Sequence, residues 1–217
     1  AEKPVTEETL FGLGSVTKVF TATSVMQLSD QGKVDINAPF KNYLPSFNMK
    51  DDAAGVTIKN IMTHHSGIPS DIFKGMFSNN PENYKVVTDY MNKEYLAGKP
   101  NEIRAYSNPG YTLLGHMIAE VSGVEYDQYV AQNILEPLGM NSSAFNAIDD
   151  ASLTYDNKGE YQKDVLLRDL PAGGLFSSTN DLTKFLMAYM DKSKKLLTES
   201  TYDQVLQSQH PNTPLDF

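Results

Sequence analysis

Apolar residues follow a helical spacing along most of the chain, and the longest apolar run begins after Ser15 and continues to Gly32. Its apolar residues fall on nearly every face of a helix, and they are Val16, Val19, Phe20, Ala22, Val25, Met26 and Leu28. A helix that is apolar all round is typical of a protein interior. We therefore predict a buried helix over residues 15–31, with Ser15 as its N-cap and Gly32 just beyond its end.

Further helices are predicted where a capping residue precedes an apolar periodic run. Two of these starts place an asparagine before a proline at the first helical position. They predict helices over residues 80–97 and 108–122. The remaining predicted helices begin after Thr57, span residues 126–134 up to Pro137, begin after Ser178 or Thr179, and run from Thr198 to about Gln207.

Alternation with a period of two residues, which is typical of strands, is rare in this sequence. Residues 152–163 are the exception and predict a hairpin that turns at residues 157–159. We expect a mainly α chain with less than ~15% strand, below the usual 20–25%.

The composition fits one globular domain over residues 1–217, because 40% of the residues are hydrophobic. A net charge of -9 without a basic run argues against nucleic acid and anionic membranes as partners. The chain has no cysteine, which excludes disulfides, thiolate catalysis and cysteine-ligated zinc. No apolar stretch is long enough to span a membrane, and the chain contains no signal peptide.

Ser15 and Lys18 are the first candidates for chemistry, because residues three apart share a face of a helix. A serine needs a nearby base to become a nucleophile, and a lysine serves when its pKa is lowered. Lowering that pKa from ~10.4 to ~7 takes about 4–5 kcal/mol, through burial or a second cation. The alternative is an N-cap serine beside a solvated lysine, since this short pattern also arises by chance.

Tyr106 and Asn108 are the second pair of candidates. A tyrosine near a serine and a lysine can relay protons, and an asparagine beside it can hold a substrate amide. The structural alternative for Asn108 is a helix N-cap before Pro109. The same Tyr-x-Asn spacing recurs at Tyr90 and Tyr155, so the pattern is weak by itself.

Taken in order, several segments resemble the serine β-lactamase and penicillin-binding protein superfamily. The resemblance is strongest to the branch with class C β-lactamases, D-alanyl-D-alanine carboxypeptidases and related esterases. The matching segments cover residues 10–21, 27–34, 61–69, 106–111, 137–140 and 172–177. The resemblance implies the α+β β-lactamase/transpeptidase-like fold and a serine hydrolase that acts on β-lactams, D-Ala-D-Ala peptides or small esters.

The resemblance also implies a role for each candidate. Ser15 forms the acyl-enzyme, Lys18 and Tyr106 share the proton transfer, and Asn108 orients the acyl amide of a small-molecule or peptidoglycan-peptide substrate. The backbone N–H of Ser15 supplies half of an oxyanion hole. It further implies an extracytoplasmic location, either periplasmic or secreted from a bacterium.

The third motif of the superfamily, Lys-Thr-Gly or His-x-Gly, does not occur after Ser177. We therefore expect this chain to be the helical region of an incomplete domain, with sheet strands missing before residue 1 and after residue 217. The surface that faces the sheet would then be exposed and drive self-association. The alternatives to an enzyme are a non-catalytic module that recognises penicillin or binds cell-wall peptides, and a helical domain without a ligand.

No cofactor is expected, and no metal. His64 and His65 are adjacent and point apart, and no carboxylate lies at helical spacing from them as in a His-Glu-x-x-His zinc site. His116 is expected to pack within its helix.

Overall fold

Helices make up most of the regular structure in the computed structural model, which describes residues 4–51, 53–147, 149, 151–162 and 165–209. The helices are α1 (Thr17–Asp30), α2 (Ile58–Met62), α3 (Val86–Met91), α4 (Asn108–Ser122), α5 (Tyr126–Val130), α6 (Glu136–Leu138), α7 (Leu170–Gly173), α8 (Thr179–Met190) and α9 (Glu199–Val205). Short 3-10 turns cover Gly14–Val16 and Phe40–Asn42, and a π-helical turn covers Ala131–Leu135. None of the described helices combines the length and apolarity that crossing a bilayer requires.

The described strands are two or three residues long, in keeping with the prediction of a mainly helical chain. They are β1 (Phe11–Gly12), β2 (Phe77–Ser78), β3 (Ala144–Phe145), β4 (Thr154–Tyr155), β5 (Tyr161–Gln162), β6 (Leu166–Leu167) and β7 (Leu175–Ser177). All pairs are antiparallel, in a three-stranded sheet of order β1-β7-β3 and in the pairs β2-β6 and β4-β5. The β4-β5 pair is the predicted hairpin, whose last residue, 163, lies outside the described residues.

Helix α1 runs through the core as predicted, and Gly32 follows its end with a positive φ of 68°. Its start differs from the prediction, because Ser15 lies in the preceding 3-10 turn and makes no capping hydrogen bond. The burial is also incomplete, since Val16 and Val19 are exposed on its outer face. The Ser15 hydroxyl is therefore free for contacts outside its own helix.

Helices α1, α4 and α7 pack against one another at the centre of the core. Gly115 lets α4 approach α7 closely, because a Cβ atom there would lie 2.1 Å from Pro171 Cγ. On the other side, the ring of Phe20 in α1 stacks on Phe185 in α8, with 4.2 Å between the ring centroids. These contacts fix the elements from which the site is built.

Helix α4 begins one residue away from its predicted cap. Ser107 is the N-cap, and its Oγ accepts the Gly110 N–H at 3.0 Å. Asn108 is the first residue of the helix, and its side chain points elsewhere. The predicted end is confirmed, because Gly123 adopts a left-handed conformation after Ser122.

The predicted helix over residues 80–97 is wrong, since only Val86–Met91 is helical. Before it, the Asn83 side chain accepts the Lys85 N–H at 2.9 Å and holds a turn that competes with helix. After it, the Glu94 carbonyl accepts the Lys50 N–H at 3.1 Å. Backbone groups that a longer helix would use are thus engaged in a local turn on one side and in a tertiary contact on the other.

The prediction that Pro137 ends the helix over residues 126–134 is also wrong. Pro137 lies in the first turn of α6, and this helix ends before Gly139, whose φ is 68°. The last two helices begin as predicted, with Ser178 and Thr198 as side-chain caps.

Candidate active site

Ser15 lies at the entrance of α1, directly after Gly14, whose φ of 52° suits glycine best. The Tyr106 hydroxyl donates a hydrogen bond to Ser15 Oγ at 2.6 Å. Lys18 Nζ donates to the same oxygen at 3.3 Å. The structure therefore brings together three side chains that the sequence places in two separate segments.

Lys18 is buried, with 6% of its surface exposed. Besides Ser15 Oγ, its Nζ donates to Asn108 Oδ1 at 2.7 Å and to the Ala172 carbonyl at 2.7 Å. An ammonium group has three N–H donors, so each has an acceptor here. Nζ also lies 4.8 Å from the centre of the Tyr106 ring, within cation–π range.

Two opposing effects set the pKa of Lys18. Burial is the larger, and it lowers the pKa below its ordinary value. The hydrogen bond and charge of Tyr106, followed by the charges of Asp71 and Asp169, act in the opposite direction. The ammonium form of Lys18 therefore loses its proton more readily than the ammonium form of an exposed lysine.

The imidazole of His64 packs against the ring of Tyr106. Its ring lies 4.4 Å from the Tyr106 ring, and its Nδ1 accepts the Ser107 N–H at 3.1 Å. Burial, followed by the positive charges of Lys18 and Arg104, lowers the pKa of His64 to about 4. The imidazole is therefore neutral near pH 7 and serves as an acceptor and a packing surface.

Asn108 links Lys18 to an acidic residue. Its Oδ1 accepts from Lys18, and its Nδ2 donates to Asp71 Oδ1 at 2.6 Å. Nδ2 carries a second N–H, which this contact with Asp71 does not use. All four residues that the sequence nominates therefore lie in one cluster.

The backbone around Ser15 is held by β7. Leu13 N–H donates to the Leu175 carbonyl at 2.9 Å, and Leu175 N–H donates to Thr17 Oγ1 at 3.2 Å. Within the described part of the chain, the Ser15 N–H has no hydrogen-bond acceptor. This N–H is thus available to an incoming carbonyl oxygen.

The family assignment comes from the whole length of the chain. Residues 1–217 match the family model described as Beta-lactamase. The chain belongs to the β-lactamase family. The resemblance predicted from the motifs is therefore confirmed.

Individual relatives agree with this assignment. The putative penicillin-binding protein PbpX of Bacillus subtilis is 30% identical over 91% of this chain and 50% of its own length. Among solved structures, the octameric penicillin-binding protein homologue from Pyrococcus abyssi is 31% identical, with a TM-score of 0.80 over 94% of this chain and 50% of that one. A class C β-lactamase from Rhodobacter sphaeroides is 25% identical, with a TM-score of 0.78 over 95% of this chain and 59% of that one. The chain spans 40–50% of the length of the curated relatives it matches.

An open cleft of about 740 Å³ lies over this β-lactamase-family site. Ser15, Lys18, His64 and Tyr106 line one part of it. The other part is an apolar wall formed by Val19, Phe185, Leu186, Tyr189, Met190 and Leu206. Tyr106 is 38% exposed, so the cleft is open to solvent at the candidate nucleophile.

Sequence reasoning missed three contributors to the site. His64 was considered only as a metal ligand, although it belongs to residues 61–69, one of the segments that carry the resemblance. Asp71 lies two residues beyond that segment, and no pattern pointed to it. The third is the Ala172 carbonyl, and a backbone oxygen has no signature in the sequence.

Proposed function

We propose that this chain carries the acylation site of a serine hydrolase, with Ser15 as the nucleophile. The observation that carries the proposal is the approach to one hydroxyl of two groups that can take its proton once they are deprotonated: Tyr106 OH at 2.6 Å and Lys18 Nζ at 3.3 Å from Ser15 Oγ. A nucleophile within hydrogen-bond reach of a base, which other groups orient in turn, is the arrangement that acyl transfer needs.

In the proposed reaction, Ser15 Oγ bonds to a carbonyl carbon while its proton passes to the neutral amine of Lys18 or to the phenolate of Tyr106. The bond from that carbon to its nitrogen or oxygen leaving group then breaks, and the leaving atom takes up the proton. The Ser15 N–H stabilises the negative charge that develops on the carbonyl oxygen, and one such donor contributes about 2.7–4 kcal/mol. A water molecule then attacks the acyl group and releases Ser15.

The proposed substrates are β-lactams, D-Ala-D-Ala peptides or small esters. Support comes from relatives described as penicillin-binding and β-lactamase proteins. Asn108 offers its second N–H to the carbonyl of an acyl amide. The alternative, a module that recognises penicillin without turnover, shares the first step and differs only in release of the acyl group.

The test is intact-mass spectrometry of the chain after incubation with benzylpenicillin and, separately, with an acyl-D-Ala-D-Ala peptide. We expect an adduct on Ser15, because Lys18 and Tyr106, either of which can take its proton once deprotonated, lie within reach of its hydroxyl. Ser15→Ala should abolish the adduct, whereas Ser29→Ala, in the last turn of α1, should leave it unchanged. Thermal unfolding of each variant checks that the fold is intact.

The fate of the adduct decides between the two forms of the proposal. Loss of the adduct within minutes, with release of opened penicillin, supports a hydrolase. A persistent adduct supports the recognition module. Absence of any adduct on the folded wild-type chain, or an adduct that survives Ser15→Ala, would overturn the assignment of Ser15.

We also propose that the chain self-associates with a second copy through the apolar wall. Three of its members on α8 and after α9 are largely exposed: Leu186 at 58%, Met190 at 69% and Leu206 at 62%. Contiguous exposed apolar surface favours association. The relative from Pyrococcus abyssi is described as octameric.

A further inference from the structure

The amide of Asn108 is fixed in one orientation by its two neighbours. Lys18 Nζ, which donates, lies 2.7 Å from Oδ1, and Asp71 Oδ1, which accepts, lies 2.6 Å from Nδ2. An ammonium group has no acceptor and an ionised carboxylate has no donor. A flipped amide would set two donors against each other at Lys18 and two acceptors against each other at Asp71.

The segment that carries Asp71 is pinned on both sides. Before it, the Ser70 carbonyl accepts the Asn108 N–H at 2.9 Å. After it, the guanidinium of Arg168 donates to the carbonyls of Ile72 at 3.0 Å and Lys74 at 2.5 Å. Arg168 is only 1% exposed, and its Nε donates to the buried Asp169 at 2.6 Å. The carboxylate of Asp71 is thus presented to Asn108 by a rigid backbone.

We propose that Asp71 is a positioning residue of the site: it holds Asn108 with its amide oxygen toward Lys18, on a loop that Arg168 fixes. The hydrogen-bond geometry supports the positioning role itself. The effect of that role on a reaction rests on the proposed hydrolase function. A charge-assisted hydrogen bond of this kind is roughly twice as strong as a neutral one.

Asp71 also contributes charge to Lys18. The groups that face the amine are the rings of Tyr106, Tyr111 and His64 and the carboxylates of Asp71 and Asp169. In Asp71→Asn, one of the two carboxylates is lost, and the new amide can donate as well as accept. Only Lys18 then selects the orientation of the Asn108 amide. The ammonium of Lys18 loses a nearby negative charge, and its acceptor on Asn108 is held less firmly.

The primary experiment is a titration of Lys18 by NMR of the ε-carbon in lysine-labelled protein, with Lys18→Arg to assign the signal. We expect a lower titration midpoint in Asp71→Asn than in the wild type, because both changes disfavour the ammonium. Asp89→Asn removes an exposed carboxylate of α3 and serves as the matched control, with no expected change. An unchanged midpoint in Asp71→Asn would overturn the proposal. If Asp71→Asn does not fold, Asp71→Ser also removes the charge and tests the same expectation.

A second comparison separates positioning from charge. In the Asn108→Ala background, the shift caused by Asp71→Asn should be smaller, because the amide through which Asp71 acts is gone. Equal shifts in both backgrounds would mean that Asp71 acts through its charge alone, which contradicts a positioning role.

The acylation rate then connects this role to the proposed function. In Asp71→Asn, adduct formation at Ser15 should slow by up to about 100-fold, the effect of a misplaced catalytic group. If the wild-type chain forms no adduct while the Lys18 midpoint still moves, the hydrolase proposal fails and the Asp71 role stands. If the adduct forms at the wild-type rate in Asp71→Asn, the positioning role fails and the hydrolase stands.

Discussion

Lys18 is the residue at which contacts from distant parts of the chain converge. As an ammonium it donates hydrogen bonds to three acceptors, on Ser15, Asn108 and Ala172. After losing a proton, Lys18 can donate to only two of these acceptors, and its free lone pair can accept the proton of Ser15. Burial disfavours the charge, whereas Asp71 and Asp169 favour it. Because burial is the larger effect, the pKa of Lys18 lies below its ordinary value.

His64 predicts a pH dependence of stability. Its pKa is about 4 in the folded chain and ~6.5 when unfolded, so the unfolded chain binds more protons between these values. The stabilisation is fully present above pH ~6.5 and is lost as the pH falls toward 4. The free energy of unfolding should fall by about 3 kcal/mol over this range. Urea unfolding at pH 4.5 and pH 7 measures the difference.

His64→Asn is the matched variant for this prediction. Asparagine tolerates the positive φ of 62° at this position, and its oxygen can accept the Ser107 N–H. It does not titrate, so the difference in stability between the two pH values should shrink. An unchanged difference would show that another group causes the acid sensitivity.

The sequence predicted the residues of this site better than their surroundings. Ser15 and Lys18 follow from helical spacing, and Tyr106 and Asn108 from a short motif. Asp71 and the Ala172 carbonyl could not be predicted, because each reaches the site through tertiary contacts that leave no local pattern. The cap of α4 was misplaced because Ser107 and Asn108 are both good caps.

At the scale of elements, the contact between α4 and α7 sets the distance between two acceptors of Lys18. Asn108 begins α4, and Ala172 lies in α7 next to Pro171, which packs against Gly115. The site as well as the core therefore requires a residue without a side chain at position 115.

Gly115→Ala should destabilise the chain. In an open helix this change would be favourable by up to about 1 kcal/mol. Here the new Cβ lies 2.1 Å from Pro171 Cγ and 2.6 Å from its Cβ, and overpacking costs about 1–3 kcal/mol. Denaturant unfolding should show a lower midpoint, and acylation should slow because Ala172 moves. Gly55→Ala, where no atom lies within 4 Å, should change stability by less than about 0.5 kcal/mol. A wild-type midpoint for Gly115→Ala would contradict the close contact.

Elements were predicted best where a cap and a glycine stop frame an apolar run. Helix α4 ends at Gly123 and α1 before Gly32, as glycine signals indicated. The helix predicted over residues 80–97 had such signals, yet only its middle formed. A local turn at Asn83 replaces the helix on one side, and backbone groups on the other side bond to distant segments. Sequence periodicity does not contain that information.

At the scale of the whole molecule, the apolar wall predicts a dimer or larger assembly. Light scattering should report a mass above the 24.1 kDa of one chain at micromolar concentration. Leu186→Lys with Met190→Lys should shift the mass toward the monomer, because burial of two charges would oppose association. Leu153→Lys changes an exposed apolar residue outside the wall and should leave the mass unchanged. A monomeric wild-type chain would refute the proposed association.

The sequence separation within the site has a consequence for the order of folding. The hydrogen bonds of Tyr106 to Ser15, and of Lys18 to Asn108 and Ala172, join residues 91, 90 and 154 positions apart. Contacts that close long loops form late, because the chain loses conformational entropy on loop closure before the contact energy is gained. Helix α1 can form early in a nascent chain, but its lysine meets its last acceptor only after residue 172 has been synthesised and docked. The candidate nucleophile, Ser15, therefore acquires its complete surroundings only near the end of folding.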